Sequence, residues 1–133
     1  MYIFDTDILS NIVKKRPSQR LLQALQAVPH GRQFTTVITV GEMVYGACKS
    51  GRREFFLSRM ESVILPNVRA LSFDESSARI YGELRALLEK QGRIVSEPDL
   101  RIAAIAIQHG FTLVTGNAAH FAHIPKLNIE NWL

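Results

Sequence analysis

The sequence predicts an α/β fold with a mostly parallel central sheet, and two observations carry that reading. Short apolar runs, YIF at 2–4, FTTV at 34–37, VRALSF at 68–73 and FTLVT at 111–115, punctuate the chain. Between them lie longer segments whose apolar residues recur at spacings of three and four, the signature of helices with one buried face. Strands that alternate with helices pair in parallel, because each helix carries the chain back to the edge it left. No repeat, low-complexity tract or flexible linker interrupts the 133 residues, so one domain over 1–133 is expected.

The elements follow in order. YIF is a short buried strand ending at Asp5, and residues 6 to about 15 continue as a helix. Pro17 opens a second helix, with Leu21, Leu22, Leu25 and Val28 on one face, before Pro29 and Gly31 break it. The strand at 34–37 leads into a helix that carries Val40, Met43, Val44 and Ala47 on one side. A further helix over about 52–64 stops at Pro66. After the third strand, Asp74 is a natural N-cap for a long helix whose buried stripe is Ala78, Tyr81, Leu84 and Leu88, closed by Gly92. Residues 99–109, DLRIAAIAIQH, are apolar nearly all round after Arg101, which predicts a buried helix ended by Gly110. The tail beyond the fourth strand is loop-like until LNIENWL, where a short final strand is expected.

Composition narrows the function classes. A hydrophobic fraction of 47% suits a soluble globular chain, and no apolar run approaches the ~20 residues of a membrane span. Asp5 and Asp7 stand where a signal peptide would need apolar residues. The single cysteine, Cys48, forbids an internal disulfide, fits a reducing cytoplasm and reads as a small core residue. Sixteen Lys and Arg against twelve Asp and Glu give a net charge of +4, a balance that attracts polyanions, nucleic acid among them. Few aromatics lie between the basic residues, so no extended base-stacking platform is indicated.

In parallel α/β units, strand C-termini and helix N-termini share one edge of the sheet, and ligands bind there. Asp5 closes the first strand, and Glu42 lies early in the helix after the second. Asp99 begins the helix before the fourth strand, and Asn117 lies just past that strand. Four oxygen-bearing residues on one edge suit a hard divalent cation, Mg²⁺ or Mn²⁺. Each also has an ordinary alternative. Asp5 or Asp7 can cap a helix, Ser96-Glu97-Pro98-Asp99 matches a capping box, Glu42 suits the dipole of a first helical turn, and Asn117 suits a turn. Those alternatives leave unexplained why acids gather at one edge of a basic protein.

Taken together, the sequence resembles the PIN-domain ribonucleases, most closely the VapC-type toxins of bacterial toxin–antitoxin pairs. The correspondence runs from the opening strand with DTD, through VITVGEMVYGA around Glu42 and DLRIAAIA at Asp99, to HGFTLVTGN and PKLNIENW. It implies a PIN-like three-layer α/β/α domain and a metal-dependent endoribonuclease. By the family pattern, Asp5, Glu42 and Asp99 correspond to an acidic triad that holds the metal and carries catalysis. The Thr115–Asn117 region corresponds to a fourth corner; Asp7, two residues past the strand end and turning into the helix, reads as a helix cap or outer-shell group. Many relatives carry an acid at the position of Asn117 or three residues on, where this chain has His120. A neutral Asn117 binds a cation less strongly, and a His120 ligand would favour Mn²⁺ over Mg²⁺, although His120 reads first as a helix-end or RNA-facing histidine; the departure bears on a second metal and leaves the triad untouched.

The resemblance also implies partners: a structured RNA, with tRNA the expected substrate, a VapB-type antitoxin, and a second copy in a homodimer. DNA would be met only through the antitoxin. A cytoplasmic location without membrane contact follows. Phe55-Phe56, beside Arg52-Arg53, are candidates for part of a partner groove, and Trp132 is expected to anchor the core. His109 and His123 read as structural or surface residues. Two competing readings remain: a non-catalytic RNA- or protein-binding module, favoured only by Asn117 and His120, and a haloacid-dehalogenase-type phosphohydrolase using DTD. Against the latter, Leu9 stands where that motif has Thr or Val, and no matching lysine segment follows.

Overall fold

The computed structural model describes all of residues 1–133. Five strands, β1 (Tyr2–Phe4), β2 (Gln33–Thr36), β3 (Arg69–Leu71), β4 (Thr112–Val114) and β5 (Ile129–Glu130), form one sheet in the order β3-β2-β1-β4-β5. Every neighbouring pair is parallel. The chain steps outward from β1 to β3 on one side and then returns to place β4 on the other. The strand order therefore reverses between β1 and β4, the position where open parallel sheets leave a crevice at their C-terminal edge.

Strand alternation sorts the side chains into two cores. Ile3 and Leu113 face one side, where they meet Leu84 and Leu88 of α5 (Glu75–Lys90) and Leu100, Ile102 and Ile105 of α6 (Glu97–His109). Phe4 and Val114 face the other side, packing on Ile8 and Leu9 of α1 (Thr6–Ile12) and Leu21 of α2 (Gln19–Gln26). Met60 and Ile64, which follow α4 (Arg53–Arg59), complete that second core. Burying side chains of this size stabilises the fold by ~1.5–3 kcal/mol each. The result is three layers. Trp132 belongs to the second core, its ring centre 4.9 Å from Tyr2 and 5.5 Å from Phe4, as expected of an anchor.

Several boundaries differ from the sequence-based expectation, each for a local reason. α1 stops at Ile12, because three adjacent cations precede Pro17, and the residue before a proline avoids helical angles. Ser18, not Pro17, caps α2, its Oγ accepting the Leu21 N–H. The Thr36 hydroxyl accepts the Thr39 N–H, which ends β2 one residue early and starts α3 (Val37–Lys49) at Val37. After α4 the helix widens into one π-type turn, Met60–Ile64, where Leu65 N–H reaches back to Met60 C=O. In α5 the stripe is Ser77, Tyr81, Leu84 and Leu88, whereas Ala78 is exposed. Ser77 turns inward because it closes a reciprocal capping box with Asp74. Cys48 is exposed rather than in the core: Ala47 takes the inward position on α3, and the next residue lies about 100° round the helix. A four-residue helix, α7 (Ala118–Phe121), occupies part of the tail expected to be loop.

Candidate active site

The site is built where β1 and β4 end side by side. The Asp5 N–H donates to Val114 C=O at 3.0 Å, so the β1–β4 ladder runs one residue past the strand and fixes Asp5 above β4. Asp5 is only 5% exposed. One carboxyl oxygen, Oδ1, accepts the Thr6 N–H at 2.7 Å and so caps α1. The other, Oδ2, accepts the hydroxyl of fully buried Thr115 at 2.9 Å. Capping of α1 thus occupies one carboxyl oxygen of Asp5, and the other is held by Thr115.

Asp7 does not cap a helix. Its Oδ2 crosses to the loop after β4, accepting the Gly116 N–H at 2.8 Å and the Asn117 side-chain amide at 3.3 Å. Its Oδ1 is buried with no hydrogen-bond partner. A side chain on residue 116 would put a Cβ 2.5 Å from Asp7 Oδ2 and 2.7 Å from Leu133, so only glycine lets this loop approach.

Glu42 lies in the second turn of α3, beyond the reach of a first-turn dipole effect. Its Oε1 accepts the Thr6 hydroxyl at 2.8 Å. Thr6 thus touches both Asp5 and Glu42, once through its backbone and once through its side chain. Asp99 sits in the first turn of α6, where Ser96 Oγ accepts its N–H at 3.4 Å. Only that arm of the expected capping box forms, which leaves the Asp99 carboxylate free of its own helix end. His120, on α7, brings Nδ1 to 3.7 Å from Asp99 Oδ2.

The electrostatics agree that negative charge is crowded here. Burial pushes the Asp5 carboxyl up to about 6; bonds from Thr6 and Thr115 oppose this, and nearby Asp7 and Asp99 raise it further. Asp7 is also raised, first by burial and then by Asp99, against the pull of the Gly116 N–H. Asp5, Asp7 and Glu42 form no ion pair with any Lys, Arg or His. Asp5, Asp7 and Asp99 thus share one electrostatic neighbourhood, with Glu42 joined to it through Thr6. The side chains do not already close into a cage: no three His, Cys, Asp or Glu groups stand as a set able to grip an ion.

Thr6 and Gly116 are the members that sequence reasoning missed. Their only signals were position: Thr6 separates the two acids of DTD, and Gly116 separates Thr115 from Asn117. Beside Thr6 and Glu42 opens an apolar groove of about 420 Å³ between α1, α3 and α4, walled by Val13, Met43, Ala47, Phe56, Leu57 and Met60.

A five-stranded parallel sheet with helices on both faces is a PIN-type fold. Residues 2–127 match the family model described as PIN domain, and the chain belongs to that family. Its relatives are of VapC type. Ribonuclease VapC2 of Haemophilus influenzae is 34% identical over 132 residues, spanning 99% of this chain and 98% of the relative. The tRNA(fMet)-specific endonuclease VapC of Shigella flexneri is 30% identical over 131 residues, spanning 98% and 97%. The crystal structure of VapBC2 from Rickettsia felis, bound to a DNA fragment from its promoter, superposes with a TM-score of 0.91 at 32% identity, covering 99% and 98% of the two chains. The family assignment removes the haloacid-dehalogenase reading of DTD.

Proposed function

We propose that this chain is a divalent-metal-dependent endoribonuclease toxin, with Asp5, Glu42 and Asp99 holding the metal at the switch point of the sheet. The observation that carries the reading is the uncompensated charge: a buried Asp5 against Asp7 and Asp99, with no lysine or arginine paired to it. A cation is the missing term. The orphaned Asp7 Oδ1 fits the same account, as the acceptor of an outer-sphere water on a hydrated ion. Neither Glu42 nor Asp99 is locked by an ion pair to lysine or arginine, so each is free to turn toward a bound ion.

When bound, Mg²⁺ or Mn²⁺ supplies Lewis acidity toward a phosphodiester and lowers the pKa of water, which makes a protein nucleophile unnecessary. The chain's own residues do the positioning. Thr115 and the Thr6 N–H fix both oxygens of Asp5, the Thr6 hydroxyl aims Glu42, and Gly116 with Asn117 holds Asp7. Asn117 thus acts as an amide donor to Asp7 at the fourth corner, and His120 stands beside Asp99 as a neighbour of the substrate path. One metal is the simplest fit to this donor set. Hydrolysis leaves a 5′-phosphate and a 3′-hydroxyl. Structured RNA is the proposed substrate class and tRNA the first candidate, supported by the Shigella flexneri relative. A VapB-type antitoxin segment is the proposed occupant of the apolar groove beside Glu42, supported by the Rickettsia felis complex. In this reading 1–133 works as one unit, and as a pair of copies.

The test is cleavage of purified total tRNA in Mn²⁺ and in Mg²⁺. Wild type is expected to cut, and Asp5→Ala and Asp99→Asn to lose more than roughly 100-fold, because even outer-shell partners of a metal are worth 10–100-fold. Cleavage that survives both substitutions, or no cleavage by wild type in either metal, returns the chain to the class of non-catalytic binding modules.

A further inference from the structure

A second surface, of opposite character to the acidic edge, lies between the end of α1 and α4. It is a hollow of about 380 Å³, and of its seven lining residues Lys14, Lys15, Arg52 and Arg59 are cationic, while none is acidic. Arg52, Lys14 and Lys15 enter no ion pair, so their charge is available to a ligand. Arg59 is spent differently: its Nε donates to Val13 C=O at 2.9 Å, tying α4 to the end of α1.

The two aromatic residues in this hollow, Phe55 and Phe56, have a specific arrangement. Phe55 is 37% exposed, and the Arg52 guanidinium carbon stands 4.0 Å from its ring centre. Phe56 meets Phe55 edge-on at 5.2 Å and roots the pair in the second core. A cation–π contact of this length holds the guanidinium beside the ring, and Arg52 is itself exposed to solvent. The hollow also connects to the acidic edge. Val13, Lys14 and Phe56 line both it and the groove that reaches Thr6 and Glu42.

We propose that Lys14, Lys15, Arg52 and Phe55 form a docking subsite for single-stranded RNA flanking the bond to be cut. This rests on the ribonuclease reading above. The lysines supply point charges for phosphates, and the Arg52–Phe55 cation–π pair supplies a partly exposed aromatic and guanidinium contact for a base, a combination that binds single strands with little sequence preference. An apolar peptide would leave three free cations unsatisfied. An acidic peptide would satisfy the cations but has no use for the aromatic contact. The subsite lies on a continuous surface with the acids, so it would hold one side of a strand whose backbone reaches Asp5, Glu42 and Asp99.

The experiment measures binding without cleavage. Asp99→Asn protein in EDTA is titrated into a fluorescein-labelled oligouridylate of roughly 12 nucleotides, within the span of such grooves. Lys14→Gln and Lys15→Gln combined are expected to lower the slope of log affinity against log salt by roughly 1.4, at about 0.7 per lost phosphate contact. Phe55→Leu, which keeps apolar bulk but removes the ring, is expected to weaken binding roughly fivefold or more. Thermal unfolding of each variant verifies that it is folded. Polyglutamate of matched charge is the competitor. No binding by the parent protein, or unchanged slope and affinity in the variants, overturns the proposal. So does polyglutamate competing as well as oligouridylate with Phe55→Leu silent, which would assign the hollow to an acidic protein segment. These readings use neither metal nor turnover, so they stand apart from failure of the ribonuclease reading, which shows as absent cleavage by wild type.

Discussion

Thr6 is the side chain on which the geometry of the acids turns. Its hydroxyl holds Glu42 Oε1 and its N–H holds Asp5 Oδ1, so one residue sets the relation between a strand end and a helix 36 positions away. Thr6→Val keeps the volume and the backbone bond but deletes the hydroxyl. The expected result is a cleavage rate reduced ~10–100-fold, as for other groups that orient ligands, with thermal stability within about 1 kcal/mol of wild type. Thr6→Ser should recover most of the rate. A Thr6→Val protein that cuts at the wild-type rate would show that Glu42 finds its working position unaided. Sequence reasoning passed over Thr6 because a hydroxyl between two acids has no motif of its own. Its role exists only once α3 brings Glu42 alongside.

The elements themselves were legible where apolar period and punctuation agreed. YIF, DLRIAAIAIQH and the Asp74 cap each combine a burial pattern with a start or stop signal, and each appears within a residue or two of its expected place. Elements decided by side-chain-to-backbone bonds were not. The wide turn at Met60–Ile64 and the helix at Ala118–Phe121 are too short for a periodicity to show. The inward Ser77 is a polar residue that periodicity assigns to the surface, yet the capping box turns it in. At the N-terminus of α6 the sequence gives a cap motif, and the structure uses half of it: Ser96 caps, and Asp99 remains available to the acidic edge. Ser96→Ala is therefore expected to cost about 1 kcal/mol in urea unfolding and to lower the cleavage rate by loosening the turn that carries Asp99. If stability falls while the rate is unchanged, the cap serves the helix alone.

Chain direction alone places Asp5, Glu42, Asp99 and Asn117 at one edge, because parallel strands leave no other place for strand ends and helix starts to meet. What direction could not supply was burial, and burial is what couples this site to the stability of the molecule. Asp5 has a carboxyl raised from 3.8 to about 6 by the fold around it. A raised carboxyl favours the folded state when protonated, so its contribution is complete below about 3.8 and is lost as pH rises through about 6. Across that window the metal-free protein is expected to lose up to ~3 kcal/mol from this group, at 1.36 kcal/mol for each pH unit between the two values. Asp7 is raised as well and acts in the same direction, whereas exposed Asp74 and Glu97 are lowered and act in the opposite one. The difference between wild type and Asp5→Asn isolates the one group. In EDTA, the melting temperature of wild type relative to Asp5→Asn should fall by several degrees between pH 4 and pH 7. A cation binds the ionised site and not the protonated one, so added Mn²⁺ should raise the wild-type melting temperature at pH 7, raise it little at pH 4, and leave Asp5→Asn nearly unmoved. Parallel curves for the two proteins in EDTA would mean that Asp5 is solvated in the free protein, and a Mn²⁺ response surviving Asp5→Asn would move the cation to other ligands.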